Sequence, residues 1–174
     1  MGKLTGKKIL MVLSPKNFCD EEFFKTRVVL QAQGAQIVTA SKGVEEATGM
    51  EGGKAKIDIQ LGKVKINDYN ALIFIGGSGA GTYLQDEIAT SLAKEAVKNK
   101  ILVGAICLTL AILAKANLLK GKKVTSDVSA RSQLAKKGAI VTGKGVQVDG
   151  RIVTACSAEN AEEFGEKLAE ILGR

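Results

Sequence analysis

The chain has 174 residues, 45% of them apolar and 25% charged, the balance of one globular domain spanning residues 1–174 with room for a real core. It contains no histidine, which excludes His-dependent general-base catalysis, Cys–His dyads within the chain and histidine metal sites. The net charge of +7 is spread over lysines along the whole sequence, and aromatics make only 4%, so a solvated basic surface is expected rather than a specific nucleic-acid partner.

No apolar run approaches the roughly 20 residues that span a bilayer. The run Ile9–Leu13 is shorter than the roughly 7–15 residues of a signal-peptide core, so a cytoplasmic place without a membrane is expected. Cys19, Cys107 and Cys156 lack metal-ligand spacing, and their odd number argues against a secreted disulfide framework. No metal and no cofactor are expected. Any acid–base group must be a carboxylate, lysine, tyrosine, thiol or water.

In chain order, Lys7–Leu13 forms a first strand, and Pro15 and Asn17 a loop. Asp20, Glu21 and Glu22 open a helix to about Gln33, since acids suit the positive end of the helix dipole, and Gly34 stops it. Ala35–Ala40 is a strand; residues 41–55 have no period and are expected as a loop. Alternating Ile57, Ile59, Leu61, Val64 and Ile66 around Gly62-Lys63 predict a hairpin or two short exposed strands. Ala71–Ile75 is a buried strand running into the glycine stretch Gly76–Gly81, followed by a helix over Leu84–Lys98. Ile101–Ile106 is a strand buried on both faces, and Leu110, Leu113, Ala114 and Leu118 follow at helical spacing.

Lys123–Ser126 is a short strand and Val128–Lys137 a helix. Ala139–Val141, Gly145–Val148 and Arg151–Ala155 are strands, the last two joined at Asp149-Gly150. Ser157 caps a final helix, Ala158–Leu172. This order predicts an α/β sandwich with a mainly parallel sheet.

Sites in such sheets form beyond the carboxyl ends of the strands. Cys107 sits there, between a buried strand and a helix, flanked by the small Ala105 and Thr109. A sharp turn there pushes the central side chain out over a helix N-terminus, which favours a thiolate. The bland alternative is a small buried hydrophobe. The glycine stretch matches neither a Walker A loop nor a full dinucleotide pattern; it offers backbone N–H groups as an oxyanion hole, or is an ordinary loop. Glu22 is either a buried acid with a raised pKa beside a thiol or an ordinary helix-start acid. Asp127 is either part of a site or a plain N-cap ahead of Val128.

Four segments resemble the ThiJ/PfpI superfamily nearly end to end. Phe18-Cys19-Asp20-Glu21-Glu22 is similar to F-E-D-x-E, and Tyr69-Asn70-Ala71-Leu72-Ile73-Phe74-Ile75-Gly76-Gly77 to Y-D-A-L-V-I-P-G-G. Ala105-Ile106-Cys107-Leu108-Thr109-Leu110 is similar to A-I-C-H-G-P, and Val148–Ala158 to V-D-G-x-I-V-T-S-R-G-P. The resemblance implies a flavodoxin-like three-layer sandwich of the class I glutamine amidotransferase kind and a homodimer or larger oligomer. It implies Cys107 as nucleophile, Glu22 as its hydrogen-bond partner, and the N–H groups of Gly77 and Leu108 as the oxyanion hole. Family activities are peptidase or amidase, glyoxalase or deglycase, chaperone and redox sensing.

The departures narrow this. Leu108 replaces a histidine of protease-like members, Asp127 stands near the place of another, Thr109-Leu110 replaces Gly-Pro, and Cys156-Ser157 replaces Arg-Gly. Amide hydrolysis needs an acid for the leaving amine, so peptidase action is not expected. The expected partner is a small-molecule carbonyl or an oxidant; the alternative is a non-catalytic chaperone-like member. Cys19 and Cys156 fall in loops on the Cys107 side, where either, if near, resolves a sulfenic acid; the favoured alternative is that their placement is a coincidence.

Overall fold

The structure is a computed structural model that describes residues 2–174. In chain order its elements are β1 (Lys8–Val12), β2 (Lys16–Phe18), α1 (Asp20–Ala32), β3 (Gln36–Ser41), β4 (Glu46–Gly49), β5 (Lys54–Lys56), β6 (Ile59–Gln60) and β7 (Ala71–Phe74). Then come α2 (Gly81–Leu84), α3 (Glu87–Lys98), β8 (Leu102–Ile106), α4 (Leu110–Lys115), β9 (Lys123–Val124), α5 (Arg131–Lys136), β10 (Ile140–Val141), β11 (Val146–Asp149), β12 (Ile152–Ala155) and α6 (Ala161–Leu172).

The apolar runs stack as one seven-stranded sheet in the order β11-β12-β8-β7-β1-β3-β6. Every pairing is parallel except that of β11 with β12. Period-two alternation divides the core. Ile9, Met11 and Leu13 of the first strand region join Phe23 and Leu30 of α1 and Phe164 and Leu168 of α6. Leu10 and Val12 face the other way, with Leu92 and Ala96 of α3 and Leu110 and Leu113 of α4. Helices therefore cover both faces, as a buried parallel sheet requires. No helix among the described residues is long and apolar enough to cross a membrane.

The strand order decides where a site can form. From β1 the chain moves one way to β3, then returns to β7 on the other side of β1. The connections after β1 and β7 leave toward opposite faces, which opens a crevice at their carboxyl ends. The loops after β1, β7 and β8 meet there.

Several expectations are corrected. Residues 41–55 are not all loop: β4 and β5 form a second sheet with β2, which itself occupies the expected Pro15–Asn17 loop. β4 and β5 bury only small residues, Ala47, Gly49 and Ala55, so they leave no hydrophobic period. The Asp20 carboxylate pins this sheet by accepting the N–H groups of Glu51 and Gly53, each at 2.8 Å. No hairpin forms at Gly62-Lys63. Leu61–Lys63 and Ile66–Asp68 are 3-10 turns, and Ile59–Gln60 extends the main sheet parallel to β3. Asp58 holds that course by accepting from the Thr39 N–H and hydroxyl, both at 2.9 Å.

The helix expected over Leu84–Lys98 is two helices, because the Asp86 carboxylate caps α3 through the N–H groups of Ile88 and Ala89. Val128–Ala130 is a 3-10 turn ahead of α5, and β9 pairs only with β10, outside the main sheet. Ser157 precedes a 3-10 turn, Ala158–Asn160, rather than capping α6 directly. The Asp149-Gly150 hairpin forms as expected, with Gly150 at φ +59°.

Candidate active site

At the end of β8 the chain bends through Cys107, which holds φ +61°. A side chain is rarely found in this left-handed region, and holding one there costs about 1–3 kcal/mol. Thr109 enforces the bend: its buried hydroxyl accepts the Ile106 N–H at 3.0 Å and donates to the Ile106 carbonyl at 2.7 Å. Leu110, fully buried, then draws α4 back into the core. Cys107 is left partly exposed at the rim, with Leu108 37% exposed beside it. The Leu108 N–H lies near the Cys107 sulfur and favours its anion.

Glu22 reaches this sulfur from α1. As the third residue of its helix it points back over the N-terminus. Its Oε2 accepts the Gly76 N–H at 2.7 Å, while the Gly76 carbonyl accepts the Cys19 N–H at 2.8 Å. The Gly76 peptide is thus clamped between β7 and the start of α1. A Cβ at Gly76 would lie 2.7 Å from Glu22 Oε2 and 3.1 Å from the Cys107 Cβ. Gly77 holds φ +117°, and a Cβ there would lie 2.4 Å from the Cys19 nitrogen, so both positions require glycine. Among the described residues the Gly77 N–H donates no hydrogen bond.

The thiols of Cys19 and Cys107 both lie in hydrogen-bonding reach of the Glu22 carboxyl. Only 2% of Glu22 is exposed. Burial pushes its pKa up to about 7, against the pull of the Gly76 N–H and the two thiols. Burial, followed by the Glu22 charge, pushes the Cys107 thiol up to about 12, with the Leu108 N–H opposing and Asp127 adding to the rise. Both causes oppose the thiolate that a helix N-terminus favours, and the second acts only while Glu22 is ionised. The turn over Cys107 is a three-residue 3-10 segment, and its N–H groups do not offset a buried carboxylate in contact. Burial likewise raises Cys19, with the Glu22 N–H opposing.

The other expected residues separate. Asp127 caps the 3-10 turn ahead of α5, accepting the Ser129 N–H at 2.9 Å, and acts on Cys107 only through its charge. Cys156 follows β12, whose Ala155 pairs with Ile106, so it lies beside the elbow. Its thiol nevertheless donates to the Ser126 carbonyl at 3.1 Å, with the Arg131 guanidinium 3.9 Å away. Cys19 is brought to the acid, and Cys156 is not. Two contributors escaped the sequence reasoning. Thr109 ties the bend, signalled only by a hydroxyl two residues past the cysteine; Arg131 approaches Cys156 with no signal in its spacing.

Met50 lies over this mouth, its sulfur accepting the Ser78 N–H at 3.4 Å. Met50, Leu108 and Val128, on the loops around it, are apolar side chains exposed to 53%, 37% and 71%. A cleft of about 570 Å³ lies at the amino ends of the strands, lined by Lys7, Asn70, Lys100 and Arg151 among others, and contains no cysteine. Among the described residues no group of three or more His, Cys, Asp or Glu side chains is arranged to hold a metal ion.

A sequence model of the DJ-1/PfpI family matches residues 7–171. The chain belongs to the DJ-1/PfpI family. An uncharacterised protein of Methanocaldococcus jannaschii is 38% identical over 97% of this chain and 84% of its own length. A glutathione-independent glyoxalase of Caenorhabditis elegans is 26% identical over 95% of this chain and 89% of its own length. The crystal structure of a ThiJ/PfpI domain protein from Brachyspira murdochii superposes with a TM-score of 0.93 at 30% identity, covering 97% of each chain. The DJ-1/PfpI architecture, a mainly parallel sheet between helical layers, accounts for the crevice in which Cys107 and Glu22 meet.

Proposed function

We propose that this protein acts on small reactive carbonyl compounds through Cys107, with Glu22 as the group that takes and returns the proton. One observation carries the reading: a nearly fully buried carboxyl against a thiol held in a left-handed bend. A carboxyl near pKa 7 is matched to proton transfer at neutral pH. The glyoxalase relative supports the substrate class.

With Glu22 ionised and Cys107 protonated, the thiol proton passes to the carboxylate as sulfur adds to an aldehyde carbon. The oxygen gains the negative charge, and the N–H groups of Leu108 and Gly77 are the donors proposed for it. Glu22 then protonates that oxygen, completing a hemithioacetal. For a 2-oxoaldehyde such as methylglyoxal, Glu22 next takes the proton from the former aldehyde carbon and a proton returns to the neighbouring carbon. The resulting thioester is hydrolysed by water to the 2-hydroxy acid, releasing Cys107. The apolar rim of Met50, Leu108 and Val128 suits a compact substrate with a methyl group. Amide hydrolysis is not favoured: Asp127 is engaged with Ser129, so no second acid is free for a leaving amine.

The proposal includes a homodimer or larger assembly, following the family, and soluble small molecules in the cytoplasm as its setting. A chaperone-like role is the second reading, favoured by the same exposed apolar rim. The test is lactate formed from methylglyoxal by the purified protein. Turnover lost in Cys107→Ser supports the enzyme. Equal turnover in the variant overturns it, and suppression of client aggregation that survives Cys107→Ser then points to the second reading.

A further inference from the structure

We propose that Cys19 is the resolving thiol of Cys107, so that a hydroperoxide converts this pair into an intramolecular disulfide across the Glu22 carboxyl. The proposal rests on Cys107 being a reactive thiol and adds a second one to its site. Three observations bring the two residues together. First, both backbones touch one peptide: the Cys19 N–H donates to the Gly76 carbonyl at 2.8 Å, and a Cβ at Gly76 would stand 3.1 Å from the Cys107 Cβ. Second, both thiols lie close enough to the Glu22 carboxyl to favour its ionised form. Third, each cysteine is a partly exposed residue, which leaves a way in for an oxidant and out for water.

Cys19 is only loosely engaged. It is the N-cap residue of α1, yet its side chain makes no capping bond, and the Glu22 and Glu21 N–H groups act on its sulfur only weakly against burial. It stands where the motif that resembles this segment carries a glutamate. Cys156 is the rival, and its thiol is committed to the Ser126 carbonyl with Arg131 alongside, away from Glu22.

The chemistry balances with a hydroperoxide as the oxidant. The Cys107 sulfur attacks the peroxide, the O–O bond breaks, the alcohol (or water) leaves with a proton, and Cys107 becomes a sulfenic acid. The Cys19 sulfur then attacks the Cys107 sulfur and the S–O bond breaks. Glu22 takes the Cys19 proton and delivers one to the departing hydroxide, which leaves as water. Two thiols have lost two hydrogens, and one hydroperoxide has been reduced. An external dithiol restores both.

The experiment treats the full chain with hydrogen peroxide, alkylates the remaining thiols, and maps peptides without reduction. The expected product is a Cys19 peptide linked to a Cys107 peptide, lighter by two hydrogens, abolished by dithiothreitol and unchanged in Cys156→Ser. In Cys19→Ser and Cys19→Ala the link is lost, and Cys107 is trapped by dimedone or proceeds to the sulfinic acid. Wild-type Cys107 reaching the sulfinic acid while Cys19 still alkylates overturns the proposal. A link to Cys156, or no oxidation of Cys107 at all, does the same. Methylglyoxal turnover, measured separately on unoxidised protein, decides the carbonyl reading whichever way the mapping falls.

Discussion

Cys107 and Cys156 stand a few ångströms of sheet apart, at the ends of β8 and β12, with Ile106 and Ala155 paired in register. Both are partly exposed. Cys107 occupies a left-handed bend and faces a buried acid; Cys156 donates a hydrogen bond to a backbone carbonyl and has a cation nearby. The same address in the sheet therefore yields two different thiols. Position at a strand's carboxyl end exposes a sulfur, but the neighbour arriving from another element decides what the sulfur can do.

The sharpest way to break this contrast is to exchange the sulfurs for hydroxyls one at a time. Cys107→Ser is expected to lower methylglyoxal turnover by about 10³-fold or more, as loss of a nucleophile does. Cys156→Ser is expected to stay within about threefold of wild type, its thiol bonding to a carbonyl that a hydroxyl also satisfies. Comparable losses in both would erase the distinction.

Glu22→Gln keeps the shape and removes the titration. A drop of about 10²-fold is expected, the range for one proton-transfer group. The pH–rate profile should also lose its rise near pH 7, where Glu22 ionises. Stability reports the same group independently. Its folded pKa, about 7, exceeds the ordinary carboxyl value of 4.5. The folded state thus binds the proton more tightly, and stability is full below about pH 4.5 and falls as pH rises to about 7. The fall attributable to Glu22 is about 2–3 kcal/mol, read as a denaturation midpoint that drops between those limits in wild type and is flatter in Glu22→Gln.

Gly76→Ala sharpens the comparison from the backbone side. The new methyl would meet Glu22 Oε2 at 2.7 Å and the Cys107 Cβ at 3.1 Å, so about 1–3 kcal/mol of stability should be lost, visible in thermal unfolding. Smallest of all is Asp127→Asn. The exposed carboxylate reaches Cys107 only by its charge, and solvent screens such charges. A change under about threefold in the alkylation rate of Cys107 is expected; a larger one would make Asp127 a working member of the site.

The central sheet was legible because its strands are long apolar runs, such as Ala71–Ile75 and Ile101–Ile106, which only a buried parallel sheet explains. The family motifs then placed Cys107, Glu22 and Gly77 together. What stayed hidden has physical reasons. β4 and β5 carry Ala47, Gly49 and Ala55 inward, too small to write a period. The alternation from Ile57 to Ile66 imitates a hairpin, although 3-10 turns bury the same side chains. The protonation of the pair stayed illegible for a similar reason: sequence reveals a turn over the sulfur, whereas the depth at which Glu22 is buried depends on Gly76 and the packing around it. Cys19 and Cys156 looked equivalent in sequence, and only the course of each thiol toward Glu22 or Ser126 separates them.

The burial of Glu22 in a chain without imidazole has an analytical consequence. Few side chains change charge near neutrality, and Glu22 is one whose titration falls there. Adduct formation on Cys107 that alters the carboxyl's protonation would release or absorb protons against a quiet background. Titration calorimetry in buffers of different ionisation enthalpy would then count those protons directly, turning the missing histidines into an advantage for watching one acid at work.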